Sequence, residues 1–162
     1  MGDRGSRDVA GQEWNARDLR RLALLVGAGW AVPGLGHMLL GRAARGLLFA
    51  LLIWGAFGLG LAHDGRLALR DARQPVLSSL QVLANVGVGP ADLLARIVVY
   101  GAPVYTFRGI PDWRSEDRVE RIFRERDRSA VSIYGTAYLW TAGLMNLLLL
   151  FDVWDIGLRR KT

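Results

Sequence analysis

No charged side chain occurs between Arg21 and Arg42, between Arg45 and Asp64, or between Arg128 and Asp152. Leucine, alanine, valine, glycine and aromatic residues fill most of each gap. An apolar run of about 18 residues or more, wound as a helix, matches the roughly 30 Å hydrocarbon core of a bilayer. The chain is 51% hydrophobic and 22% charged over 162 residues, and the segregation of these two classes excludes an ordinary soluble domain. The pattern predicts an all-α membrane protein with three spans.

The first run, 22–40, would be about 28 Å long as a straight helix. It is not expected to be straight. The sequence over 32–46 reads VPGLGHMLLGRAARG, and Pro33 lacks an N–H and presses on the carbonyl four residues earlier. Gly34 and Gly36 loosen the backbone further. Lipid cannot satisfy a freed carbonyl, so the kink must face protein or water. The second run, 46–62, follows after only Gly41 to Arg45, which predicts an antiparallel, kinked transmembrane hairpin over 19–62. Small residues at Gly46 and Ala50, and at Ala56 and Gly60, have the spacing that lets helix backbones approach closely. Arg42 and Arg45 lie at the tip, within reach of lipid phosphates. Residues 1–18 read as a disordered tail with Trp14 as an interface anchor. No cleaved signal peptide is expected, because the apolar run is too long for an h-region and lacks a convincing small-residue cleavage site.

Residues 63–107 begin as a polar loop. The apolar stretch 76–107 is then broken by Gly87, Gly89, Pro90, Asp92 and Arg96, which predicts two short helices around the Gly-Pro break, re-entrant or interfacial, with one tilted crossing as the competing arrangement. A crossing would leave 11 basic residues on one face and 9 on the other, against 15 and 5 without it. The positive-inside rule favours the second arrangement, with the N-terminus cytoplasmic, the 41–45 tip outside and 63–129 inside or interfacial.

Residues 108–129 predict a charged amphipathic helix from about Ser115, which can cap it, with Val119, Ile122 and Phe123 as a narrow apolar stripe. Such a helix lies on the membrane or on its own bundle, or docks a partner. Residues 130–162 hold the C-terminal transmembrane helix and a basic tail. Ser132, Thr136, Leu139, Gly143 and Asn146 recur at four- and three-residue steps, a face suited to helix packing, and Asn146 can hydrogen-bond across it. Asp152 and Asp155 share a face just beyond the span, with Asp155 placed to pair with Arg159.

The net charge of +6 sits mostly in arginine-rich segments flanking the apolar runs. It reads as a topology signal beside anionic lipid, and no nucleic-acid-binding motif accompanies it. Cysteine is absent, which excludes disulfides and thiolate metal sites. Twenty arginines against the single Lys161 fit the coding bias of a GC-rich bacterial genome.

His37 is the one histidine inside a predicted span, a candidate for proton or ligand handling, or for bonding a carbonyl freed by the kink. Asp152 and Asp155 form a possible polar site, but two carboxylates do not specify a metal, and no metal or cofactor is expected. His63-Asp64-Gly65 with Arg70 departs from the lipid head-group transferase signature in the place of its arginine and lacks the later acidic repeat. No serine-hydrolase elbow, Walker loop or zinc-protease motif occurs, so no catalytic residue is assigned.

The segment Trp30-Ala31-Val32-Pro33-Gly34-Leu35-Gly36-His37 precedes Leu40-Gly41-Arg42 and Arg45-Gly46. Far downstream, Ala142-Gly143-Leu144-Met145-Asn146 precedes Asp152-Val153-Trp154-Asp155-Ile156. Together these resemble an uncharacterised bacterial family of small integral-membrane proteins, a domain of unknown function, over about Trp30 to Lys161. The resemblance implies an inner-membrane protein without an assigned activity. The leading expectation is a non-enzymatic structural or accessory component in which Pro33, Gly34, Gly36, His37, Gly41, Gly46, Gly143 and Asn146 shape and pack the helices. Its expected partners are the lipid bilayer and a second copy or another membrane protein, with no nucleic acid. A small transporter or channel subunit with a polar pathway near Pro33, His37 and Asn146 is the alternative. A lipid-active enzyme using Asp152 and Asp155 is the third reading.

Overall fold

The computed structural model describes residues 16–106 and 113–159. Seven helices occur among them: α1 (Ala16–Ala31), α2 (Leu35–Leu39), α3 (Ala43–Ala62), α4 (Pro75–Val86), α5 (Pro90–Tyr100), α6 (Trp113–Arg128) and α7 (Ser132–Arg159). Of the expected tail at 1–18, only the last three residues are described, and they open α1. Trp14 and the Arg159 side chain expected to pair with Asp155 lie outside the described residues, and α6 begins at Trp113, which puts Ser115 inside the helix and not at its cap.

The 28 residues of α7 would extend about 42 Å, and α1, α2, α3, α4 and α6 all pack against this helix. Its stripe of Ser132, Thr136, Leu139, Gly143 and Asn146 is buried and continues through Val153. Helix α3 runs antiparallel to α7 and buries Gly46, Ile53, Phe57 and Gly60. A Cβ placed on Gly60 would lie 2.9 Å from the Gly135 carbonyl oxygen and 2.7 Å from the Leu139 side chain, so the two helices pack there with no room for a side chain on Gly60. Both α3 and α7 are long and apolar enough to cross a membrane. Helices α4 and α5 pass the same test only when taken together, and they meet at an angle of 107°.

The run 22–40 does not form the single kinked helix expected from its composition. Helix α1 stops at Ala31, and α2 folds back along it. Gly34 adopts φ +86°, a left-handed conformation that reverses the chain where Pro33 alone would have bent it. A Cβ on Gly36 would lie 3.3 Å from the Leu25 carbonyl, and Leu40 returns to the cluster that holds Leu25 and Val26. The expected long hairpin with α3 is therefore short, closed where Gly34 and Gly46 abut. Beyond it, Pro75 and Pro90 start α4 and α5 at positions where a missing N–H does no harm.

The two ends of the α4–α5 pair meet. The Arg70 N–H donates to the Tyr105 carbonyl at 2.8 Å, and Arg70 bridges Thr106. Arg96, wholly buried, donates through Nε to Asp92 at 2.8 Å and through Nη1 to the carbonyls of Ala68 and Val104. One guanidinium thereby joins the segment before α4 to the segment after α5. Tyr100 adds a bond from its hydroxyl to the Leu67 carbonyl at 3.0 Å. Helix α6 lies across the same end: Arg126 donates to the Gly65 carbonyl, Arg66 pairs with Asp127, and Ser129 reaches Asp64. Val119 belongs to the core with Ile122 and Phe123 packed against it, so this stripe is spent on the chain's own bundle.

Helix α4 approaches α7 so closely that a methyl group on Gly143 would run into the Ala84 carbonyl oxygen. Gly143→Ala should therefore destabilise the fold by about 3 kcal/mol through overpacking against backbone, seen as a lower unfolding temperature in detergent. Asp92→Ala should cost about 3–5 kcal/mol in the same measurement, because it leaves the Arg96 charge buried without its counter-ion.

Candidate functional site

Polar side chains within the apolar body gather in three places. The first is built on α2, whose five residues bring His37 beneath α7. His37 is 1% exposed, and its Nε2 lies 2.7 Å from Asp152 Oδ2, whose side chain is 52% exposed. The Phe49 ring on α3 stands 5.9 Å from the imidazole. The sequence leaves His37 between bonding a freed carbonyl and handling a proton or ligand, and sets Asp152 beside Asp155 just beyond the span. Helix α7 runs on through both acids, and the exposed Asp152 carboxylate takes the imidazole as its partner. The pair links a buried ring to a carboxylate at the surface, and Nδ1 of His37 has no hydrogen-bond partner among the described residues.

The second place is the Asp92–Arg96 pair, covered by the Tyr105 ring 4.2 Å from the guanidinium carbon. Burial, reinforced by the Asp92 charge, pushes the Tyr105 phenol above its ordinary range, and Arg96 opposes the shift. The third is the bend between α4 and α5. Asn146, fully buried, donates through Nδ2 to the Gly87 carbonyl at 2.9 Å. Trp30 at the end of α1 donates its indole N–H to the Val86 carbonyl at 3.1 Å. Gly89 has φ +83° and lies against the Trp30 carbonyl. Only glycine combines that conformation with so close an approach. Beside this bend is a hollow of about 400 Å³ walled by Trp30, Val86, Gly89, Pro90, Leu93 and Tyr105, none of them charged.

Pro33 is buried under α2, and Gly36 lies against Val153. Gly41, at φ +78° with open space around it, serves the turn and not the packing. Arg42 and Arg45 are exposed at the start of α3, where they border a shallow hollow of about 370 Å³. The structure brings Gly34 to Gly46 and His37 to Asp152. Gly143 and Asn146 face α4, so His37 and Asn146 do not share a chamber: their partners on or across α7 are different. Among the described residues no three His, Cys, Asp or Glu side chains gather to hold a metal ion.

Sequence reasoning treated Asp92 and Arg96 as interruptions of an apolar run. Their acid-first, four-residue spacing was the signal that they pair. Trp30 and Tyr105 carried no comparable signal, since their roles depend on elements far apart in the chain.

No curated protein and no solved structure matches the chain. A family of unknown function, DUF6677, matches residues 23–162, from within α1 through the whole of α7. That match spans every polar cluster described above, and the chain belongs to the DUF6677 family.

Proposed function

We propose that this protein is a multi-span component of a bacterial inner membrane, with a structural or accessory role and no chemistry of its own. The observation that supports this reading is the direction in which its side chains are spent. Leu51, Val98, Leu148 and Phe151 are each more than 60% exposed, on three different helices. Three buried polar side chains instead bond the chain's own backbone: Asn146 to Gly87, Arg96 to Ala68 and Val104, Tyr100 to Leu67. Outward leucine and inward polarity suit a body solvated by hydrocarbon. Arg42 and Arg45 at the α3 start are placed for lipid phosphate, and the outer apolar faces are available to a second copy or another membrane protein.

One observation favours the small-transporter alternative. His37 joins the buried interior to a water-facing carboxylate at 2.7 Å, the kind of ionisable contact that lines ion and proton paths inside membranes. The two readings separate in one experiment. Under the structural reading, the protein stays with the membrane after an alkaline carbonate wash, and purified protein in liposomes leaves an imposed pH gradient intact. A gradient that collapses with the parent and persists with His37→Ala replaces the structural reading with the transport reading.

A further inference from the structure

We infer that neither broken helix pair crosses the bilayer: α1–α2 dips in from the face bearing Arg42 and Arg45, α4–α5 dips in from the opposite face, and their bends meet at mid-depth. The inference rests on the membrane reading above, with α3 and α7 as the spans.

Helix α7 serves as the depth scale, at 1.5 Å per residue. Leu22 in α1 lies against Gly157, and Gly29 lies beside Leu150, a Cβ on it falling 3.1 Å from that side chain. The chain then turns, and α2 climbs back along the same half of α7: Gly36 faces Val153, His37 meets Asp152, and Leu40 packs with Val153 and Ile156. Both arms of this hairpin thus stand against 150–157. The other pair mirrors it. Its mouth is near Thr136, whose hydroxyl accepts the Arg66 N–H at 3.0 Å, and its bend is at Asn146, roughly 15 Å further along α7. That is about half of a 30 Å hydrocarbon core.

Two observations close each hairpin on its own face. The hydrogen bonds from Arg70 to Tyr105, and from Arg96 to both Ala68 and Val104, hold the ends of α4–α5 side by side. A helix pair that crossed would have its ends some 30 Å apart. At the other face His37 and Asp152 fix α2 beside the end of α7. The bends touch where Trp30 donates to Val86 and lies against Gly89.

The charge argument for orientation then loses its force. With α1–α2 returning to its own side, the basic residues outside the apolar layer divide ten and ten, so the arginine count no longer selects a cytoplasmic face.

The chain has no native cysteine, so single cysteines at the exposed positions Arg20, Ala44, Arg73 and Arg121 can be probed with a membrane-impermeant maleimide in sealed vesicles of known orientation. The expected result is labelling of Arg20→Cys and Ala44→Cys from one face, and of Arg73→Cys and Arg121→Cys from the other. Each cysteine should be protected from the reagent on the opposite face until detergent is added. If Arg20→Cys labels from the Arg73 face or from neither, α1–α2 is not a returning hairpin. If Arg121→Cys labels from the Ala44 face, α4–α5 crosses. Either result overturns the inference and leaves the membrane reading standing. Labelling of Ala44→Cys and Arg73→Cys from one face would instead remove α3 as a span, and the membrane reading with it.

Discussion

An unpaired backbone carbonyl in apolar surroundings is penalised by several kcal/mol, and this chain interrupts its apolar helices twice, around Pro33-Gly34 and around Gly87-Gly89. The second interruption is tolerated because other elements supply what the helix has lost. Asn146 covers the Gly87 carbonyl and Trp30 covers that of Val86. Asn146 can reach only because Gly143, one turn earlier on the same face, carries no side chain and lets α4 settle directly onto α7. The glycine sets the separation and the asparagine uses it. Helix α4 could not stand close enough without the first, and its end would be left unpaired without the second.

The charged groups follow the same logic at longer range. Arg96 is an expensive residue to bury, and a buried ion pair is weak evidence of net stability when it could be replaced by packed hydrocarbon. What the pair does here is geometric. Its guanidinium reaches Asp92 on its own helix and the backbone on both sides of the α4–α5 hairpin, a task for which a planar, multi-donor group is suited and an aliphatic side chain is not. His37 and Asp152 perform a simpler version of that task between α2 and α7, with one partner accessible to water.

The legibility of these features in the sequence tracks how local their causes are. Helices α3 and α7 follow from charge-free length, the buried face of α7 from its three- and four-residue recurrence, and the α4–α5 bend from Gly-Val-Gly-Pro. All of these are decided by neighbours within a few turns. The reversal at Pro33 was read as a kink because proline alone is compatible with either outcome. The choice is made by Gly34 at positive φ and by its seat against Gly46 on α3, neither of which a local pattern reveals. His37 and Asp152 are 115 residues apart, so each was interpreted through its own surroundings. For α6 the stripe is visible in the sequence but its destination is not: an amphipathic face looks the same whether it covers a lipid surface or its own core, and Val119 in the core, Arg126 on Gly65 and Arg66 on Asp127 tie it to the bundle.

The use of polar groups for internal closure also bears on how such a protein would recognise anything else in its membrane. Asn146 Nδ2, the indole of Trp30 and Nη1 of Arg96 are already engaged with the chain's own carbonyls. Large exposed surfaces on α3, α4, α5 and α7 are leucine, isoleucine, valine and aromatic side chains, which hydrocarbon solvates as well as another helix does. Between helices in lipid, the hydrophobic effect gives no preference for association, and selectivity has to come from close packing or from hydrogen bonds. Gly55 and Gly58 on α3 have open space where a side chain would stand, so a close packing surface is available there. On the membrane reading proposed above, a partner helix would be selected by the fit of its backbone to that shallow surface, and the exposed charges of Arg42, Arg45, Arg73 and Arg121 would lie outside that contact.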